Sequence, residues 1–301
     1  MPRRPAGSPY HPRRWPMWIG LGLLRLVSWL PWNLQRLGAR ALGAGVFHLL
    51  PIRRKVVLTN LRICFPGRTE AERRVIARRH YQSLVLGILE MARCWWRSTD
   101  ALPPHRIEGL ELLHAAAARG KGVLLVSGHF TTLEITGRML TLATPLSCLY
   151  RDPNNPVLAN FLRHHRASWT RQAIEMRDLK GLLRALREGE VVWYAPDQGK
   201  RTAQSELLPF FGEPCITNTS TPRLAELTGA AVLTFYAHRL PDNSYVLRIR
   251  AAPAGIPSGE PVADTRRLIA ELEAAVGLAP EQYLWVHRRF KRRPGLPDAY
   301  A

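Results

Sequence analysis

Apolar and polar positions along the 301-residue chain change their period several times, and each change marks a predicted element. Thr69-Glu70-Ala71-Glu72 has the spacing of a capping box, with Thr69 as the cap and Glu72 three residues on. Val75, Ile76, Leu84, Leu86, Ile88, Leu89 and Met91 then recur at roughly helical spacing as far as Trp95-Trp96. From about Ile107 the pattern is mixed. Leu112 to Arg119 reads as a helix stopped by Gly120. The continuous apolar run from Gly122 to Val126 predicts a strand covered on both faces. Helices are predicted over 133–142, 157–169, 179–187, 222–227 and 264–276, and strands over 146–150, 191–195, 231–238 and 245–250. The last two strands are joined by the turn Pro241-Asp242-Asn243. Such alternation predicts an α/β layered domain, with a mostly parallel or mixed sheet flanked by helices.

The first fifty residues follow a different pattern. Arg3, Arg4, Arg13 and Arg14 precede an apolar run from Trp15 to Leu30 that Arg25 interrupts and Pro31 ends. A second run, from Leu37 to Ile52, is rich in Gly and Ala. The first run is shorter than the roughly 20 residues a spanning helix requires. A cleaved signal peptide, a buried soluble helix and a retained membrane anchor all fit it. Trp residues at both ends favour the anchor, spanning at a tilt or lying in the interface, because indoles prefer the headgroup level. The following cluster Arg53-Arg54-Lys55 would then face anionic lipid and place the body of the chain in the cytoplasm. This divides the chain into a membrane-anchoring segment, 1–52, and an α/β domain, 53–301.

Composition adds one constraint. A formal net charge of +20 with 46% hydrophobic residues excludes a disordered chain and implies an anionic partner: nucleic acid, phospholipid headgroups, an acidic carrier protein or a phosphorylated substrate. Cys64, Cys94, Cys148 and Cys215 form no CxxC pair, so reduced buried thiols are expected and no metal site is predicted.

Chemistry concentrates in Ser127-Gly128-His129-Phe130-Thr131-Thr132-Leu133-Glu134, directly after the buried strand. On one regular helix, residues five apart lie roughly 140° apart, so His129 and Glu134 cannot face each other that way. With His129 in the strand-to-helix loop and Glu134 in the first turn of the helix, the two can meet. A carboxylate there would fix the imidazole tautomer and leave the other nitrogen to take a proton from a hydroxyl. The carboxyl ends of strands are where α/β sheets tend to place their sites. A histidine merely satisfied at a helix start, beside an exposed glutamate, fits the spacing as well.

The H-x4-E pattern after a buried strand resembles the signature of the glycerolipid and lipid A acyltransferases. Further stretches are similar to the lauroyl/myristoyl transferases of lipid A biosynthesis: His11 to Pro16, Asn60 to Pro66, Tyr150-Arg151 with Asn155-Pro156, Asp178 to Gly181, Gly189 to Asp197, and Tyr283 to Lys291. They run nearly end to end. The resemblance implies a glycerolipid acyltransferase-like fold, with His129 and Glu134 as a catalytic pair. It also implies functional positions at Arg166 and Asp197, with Arg151 and Lys200 beside them as substrate-binding residues. One departure concerns Gln198-Gly199-Lys200-Arg201, where lauroyl-type members usually carry a second acid and Tyr-Gly; this bears on which donor or acceptor is used.

The implied reaction is transfer of a fatty acyl chain from a thioester, expected on acyl carrier protein, to a hydroxyl of a lipid A precursor at the cytoplasmic face of a bacterial inner membrane. No cofactor is expected. The absence of a Gly-x-Ser-x-Gly elbow argues against a serine acyl-enzyme. The basic residues, among them Arg73, Arg74, Arg78, Arg79, Arg288, Arg289, Lys291, Arg292 and Arg293, could meet substrate phosphates, anionic lipid or the carrier protein. Other acceptors (glycerophosphate, a glycolipid or an aminolipid) stay open. So does a nucleic-acid-binding protein, although no RRM, zinc-finger or KH signature is present.

Overall fold

Seven strands form the central sheet in the computed structural model, which describes residues 10–199 and 201–301. In chain order they are β1 (His105–Glu108), β2 (Val123–Val126), β3 (Ser147–Tyr150), β4 (Ala173–Glu175), β5 (Val191–Tyr194), β8 (Ala231–Arg239) and β9 (Tyr245–Ala251). Two more, β6 (Ser205–Phe210) and β7 (Glu213–Asn218), pair only with each other as an antiparallel hairpin. The sheet order is β1-β9-β8-β2-β5-β3-β4, and β9 and β1 run against the other five.

β2 lies near the centre and is buried on both faces, as its unbroken apolar run predicts. Val123 and Leu125 pack with α5 (Leu110–Ala118) and α6 (Leu133–Ala143) through Leu113, Ile135, Met139 and Leu140. Leu124 and Val126 point the other way, into a layer built by α8 (Leu179–Arg187), α9 (Ser220–Thr228) and α10 (Pro261–Leu278). The predicted α/β layering is therefore present. Four parts of the fold, with the β6–β7 hairpin taken as one, have no clear sequence signal. β1 and β4 are short edge strands with polar or half-exposed positions. The β6–β7 hairpin carries Pro209 opposite Pro214, which obscures strand periodicity. The fourth, α3 (Pro51–Cys64), starts within the second apolar run, so the expected boundary at residue 52 falls in its first turn.

Four α-helices precede β1 among the described residues. α1 (Trp15–Ser28) and α2 (Trp32–Leu49) rest on α4 (Glu70–Trp96), whose N-terminus has the predicted Thr69/Glu72 capping box. At Gly43 the two backbones come so close that a Cβ would lie 2.4 Å from the Cα of Gln82. Gln35, buried at the α1–α2 corner, donates to the carbonyls of Ser28 and Leu30. No helix among the described residues is long and apolar enough to cross a membrane. At 14 residues α1 spans only about 21 Å, against roughly 30 Å of hydrocarbon; α2 carries Arg36 and Arg40. What α1 and α2 do present is an outward row of large apolar side chains: Trp15, Ile19, Leu23, Leu26, Trp29, Leu37 and Leu42 are all exposed. Of the basic cluster after them, Arg54 donates to the carbonyls of Phe47 and His48 at the end of α2, and Lys55 donates to the carbonyl of Ala301. Arg3 and Arg4 lie outside the described residues.

α4 also braces the sheet from behind. Ser83 hydrogen-bonds Thr131 at 2.7 Å, and a Cβ on Gly87 would sit 2.3 Å from the Thr131 carbonyl oxygen. Only a residue without a side chain lets the helix approach that loop. Gly87→Ala is expected to destabilise the fold by about 1–3 kcal/mol, because backbone rather than a flexible side chain must shift. Thermal unfolding would measure it, and an unchanged midpoint would mean that α4 and the loop are not in tight contact.

Candidate active site

The register of two parallel strands assembles the site. Val126 at the end of β2 is level with Tyr194 at the end of β5, and the Ser127 amide extends the ladder to the Tyr194 carbonyl at 2.9 Å. His129 follows Val126 by three residues, and Asp197 follows Tyr194 by three. Equal offsets from level strand ends bring the two side chains together above the carboxyl edge of the sheet.

Asp197 is held by several donors. Its Oδ1 accepts from His129 Nδ1 at 2.5 Å, and its Oδ2 accepts from the His129 amide and from the Tyr283 hydroxyl, each at 2.9 Å. Its side chain is 2% exposed, whereas that of His129 is 29% exposed. Burial pushes the Asp197 carboxyl up, but the imidazole charge, the hydrogen bonds from His129 and the nearby Arg289 outweigh it and hold the pKa at about 2. His129 responds in kind: burial pulls its pKa down, and the Asp197 charge and hydrogen bond raise it above the ordinary value. With Nδ1–H donated to an ionised carboxylate, Nε2 carries the lone pair, so His129 is oriented as a base.

The expected partner of His129, Glu134, is engaged elsewhere. It lies in the first turn of α6, where its carboxylate accepts from the guanidinium of Arg166, in the last turn of α7 (Pro156–Ala167). The loop explains the difference. Phe130 bridges Tyr283, the Thr131 amide donates to the Gln282 carbonyl at 2.8 Å, and the Leu284 amide donates to the His129 carbonyl at 2.9 Å. This extended stitching to residues 282–284 keeps His129 off the start of α6 and turns it toward β5. The same segment is anchored behind by Gln282, which exchanges two hydrogen bonds with the backbone of Arg239. Arg239 in turn forms a buried ion pair with Glu90 at 2.5 Å.

Two pairs thus stand at the carboxyl edge of the sheet, His129 with Asp197 and Glu134 with Arg166. The Arg166 guanidinium also lies 5.9 Å from the ring centre of Tyr150 at the end of β3. Arg151 follows Tyr150, is exposed, and is close enough for its charge to be felt by Lys291. Lys200 lies outside the described residues. Tyr283, a third donor to Asp197, opens one of the family-like stretches but is not among the expected site residues.

A cleft of about 520 Å³ opens beside the first pair. Gln198, next to Asp197, and Leu284, bonded to the His129 carbonyl, form its inner wall with Tyr81, Leu84 and His287. Burial and then the Lys291 charge pull the His287 imidazole down to about 4, while Asp197 opposes them.

The relatives of the chain agree on its chemistry. The profile of the bacterial lipid A biosynthesis acyltransferases matches residues 6–292. The chain belongs to this family. It is 35% identical over 295 residues to the lipid A biosynthesis lauroyltransferase of Escherichia coli (strain K12), covering 96% of each protein. It is also 35% identical over 287 residues to the lipid A biosynthesis palmitoleoyltransferase of the same strain, covering 94% of each. Identity to that strain's myristoyltransferase is 25% over 301 residues, covering 96% of this chain and 91% of the relative. The chain is therefore an acyltransferase, and the pairs around His129 and Glu134 are its candidate active site.

The electrostatics give a test that needs no turnover. The negative charge of Asp197 favours the imidazolium of His129, and burial disfavours it. Asp197→Asn removes the first and leaves the second, so the His129 pKa should fall below the ordinary 6.5. Glu134→Gln should leave it within a few tenths of the wild-type value. Histidine titration by NMR reads both; a fall in the Glu134 variant alone would reassign the partner.

Proposed function

We propose that this acyltransferase moves a fatty acyl chain from an acyl carrier protein thioester to a hydroxyl of a lipid A precursor, with His129 as general base. The observation that carries the reading is a partly buried imidazole braced through Nδ1 by a buried, ionised aspartate, at the edge of a cleft, in a chain of this family. Relatives named for lauroyl, palmitoleoyl and myristoyl transfer support lipid A as the acceptor class.

In this scheme His129 Nε2 takes the proton of the acceptor hydroxyl as its oxygen attacks the thioester carbonyl carbon. The tetrahedral adduct collapses to an ester and a thiolate, and the imidazolium returns the proton to sulfur. Asp197 fixes the tautomer and stabilises the imidazolium while it exists. A positioned base contributes roughly 10²–10⁴-fold, so orientation of the two substrates must supply much of the rest. Glu134 acts through Arg166: a carboxylate holds the guanidinium of a half-buried arginine at the sheet edge, where it can bind a polar group of either substrate. Arg151, next to Tyr150, is assigned to substrate binding, and so, from the resemblance alone, is Lys200.

The exposed apolar row of α1 and α2 supports attachment to the bilayer surface, with the helices lying in the interface and not crossing it. Trp15, Trp18 and Trp29 suit the headgroup level. Arg53 and the basic surface beyond favour an anionic leaflet, which suits the cytoplasmic face of a bacterial inner membrane. A lipid acceptor would then reach the cleft from the membrane plane, since Leu50, exposed just past the end of α2, also lines the cleft.

Mass spectrometry of lipid A from cells with and without the chain tests the reaction, and an added acyl chain in the presence of the protein is expected. His129→Ala should reduce transfer by at least about 10²-fold while the protein still folds; turnover near wild type would remove His129 from the scheme. For the membrane, Ile19→Glu with Leu26→Glu should release the protein from anionic vesicles in a flotation assay. Retention equal to wild type would contradict interfacial attachment by α1.

A further inference from the structure

Several partly buried arginines in this chain have a carboxylate: Arg166 pairs with Glu134, Arg239 with Glu90, Arg267 with Asp264 and Arg293 with Glu213. The cations around the cleft beside His129 do not. Among the described residues, Arg53, Arg151, Arg288, Lys291 and Arg292 form no ion pair, and the residues not described contain no Asp or Glu. Arg53, Arg288 and Lys291 line the cleft itself, together with the aliphatic side chains of Leu50, Leu84 and Val286. The Arg53 guanidinium reaches only a backbone carbonyl, that of Val286, at 3.4 Å, and the Arg288 guanidinium lies over the Tyr300 ring at 5.4 Å. Burial, and then the charges of Arg292, Arg151 and Arg289, pull the pKa of Lys291 down. His287 adds a buried Nε2 that has no hydrogen-bond partner, also on the cleft wall. Like charges gathered in one cleft repel one another, and no carboxylate of the protein pairs with them. An anion entering the cleft would.

We propose that this cleft is a phosphate subsite, in which Arg53, Arg288 and Lys291 grip a phosphate ester carried by one of the two substrates while the aliphatic walls take the adjoining carbon chain. The proposal rests on the acyl-transfer reading, because that reading puts both substrates beside His129. Two sources carry the required chemistry: a phosphate on the glycolipid acceptor, and the phosphodiester of a phosphopantetheine donor. Guanidinium groups suit either one, through charge-assisted hydrogen bonds to phosphate oxygens.

The test compares wild type with Arg288→Gln, Lys291→Gln and the charge control Arg187→Gln, on the exposed flank of α8. Each is assayed in neutral detergent micelles with four substrate pairs: phosphorylated or phosphatase-treated glycolipid, combined with acyl-phosphopantetheine or acyl-pantetheine. With both phosphates present, each cleft variant should raise KM roughly ten- to a hundredfold for the substrate it grips, and the control should not. If the penalty disappears only with the phosphatase-treated acceptor, the subsite belongs to the acceptor. If it disappears only with acyl-pantetheine, it belongs to the donor. An equal penalty with all four pairs, or one matched by Arg187→Gln, overturns the phosphate subsite. Equilibrium binding of a fluorescent phosphorylated glycolipid and of a fluorescent phosphopantetheine is measured alongside. A wild-type protein that transfers nothing but binds one of them, with binding weakened in the cleft variants, overturns acyl transfer and keeps the subsite. Binding equal in wild type and variants, without a substrate-specific KM effect, overturns the subsite.

Discussion

The carboxylate of Asp197 is the fixed point around which the site is arranged. It is buried, it accepts three hydrogen bonds, and two of those come from the one residue positioned to move a proton. A buried charge survives only with such partners, so Asp197, His129 and Tyr283 hold each other in place. Because β2 and β5 are parallel neighbours in level register, backbone hydrogen bonds rather than a flexible side chain fix the pairing. The loop carrying His129 is then stitched to residues 282–284, and these are tied through Gln282 to Arg239 and the buried Glu90. The imidazole thus sits on the far end of a continuous polar scaffold running back to α4.

Much of this is legible in the residues. The unbroken run at Val123–Val126 identifies a strand buried on both faces, and the Thr69/Glu72 box identifies the start of α4. His129 stands out because it follows that strand. Its partner does not, because local spacing suggests Glu134, five residues on, while the true contact comes from 68 residues away. Pairing across a sheet depends on strand order, and no single sequence states that order. The clue available was indirect: Asp197 follows a second buried strand at the same offset as His129 follows the first. Edge strands β1 and β4 are obscured by polar positions, and the β6–β7 hairpin by its two prolines, so these strands are not legible in the hydrophobic pattern.

The separation of the two pairs suggests a division of labour on one edge. His129 with Asp197 can handle the proton, while Arg166, held by Glu134, can bind substrate. The cleft with its unpaired cations lies next to the first pair, and it is also lined by Leu50, exposed just past the end of α2. An amphiphilic substrate lying in a membrane surface would meet these features in sequence: an apolar bed, a cationic wall, then the imidazole. Three of the basic residues behind the net charge of +20, Arg53, Arg288 and Lys291, stand on this wall.

The pH dependence of kcat/KM tests the central claim most directly, because its acid limb reports the imidazole of the free enzyme. If Asp197 braces a basic His129, the wild-type limb lies above the ordinary histidine value. It then moves to lower pH, with a large loss of maximal rate, in Asp197→Asn but stays in place in Glu134→Gln. A limb that moves in the Glu134 variant and not in the Asp197 variant would contradict the account.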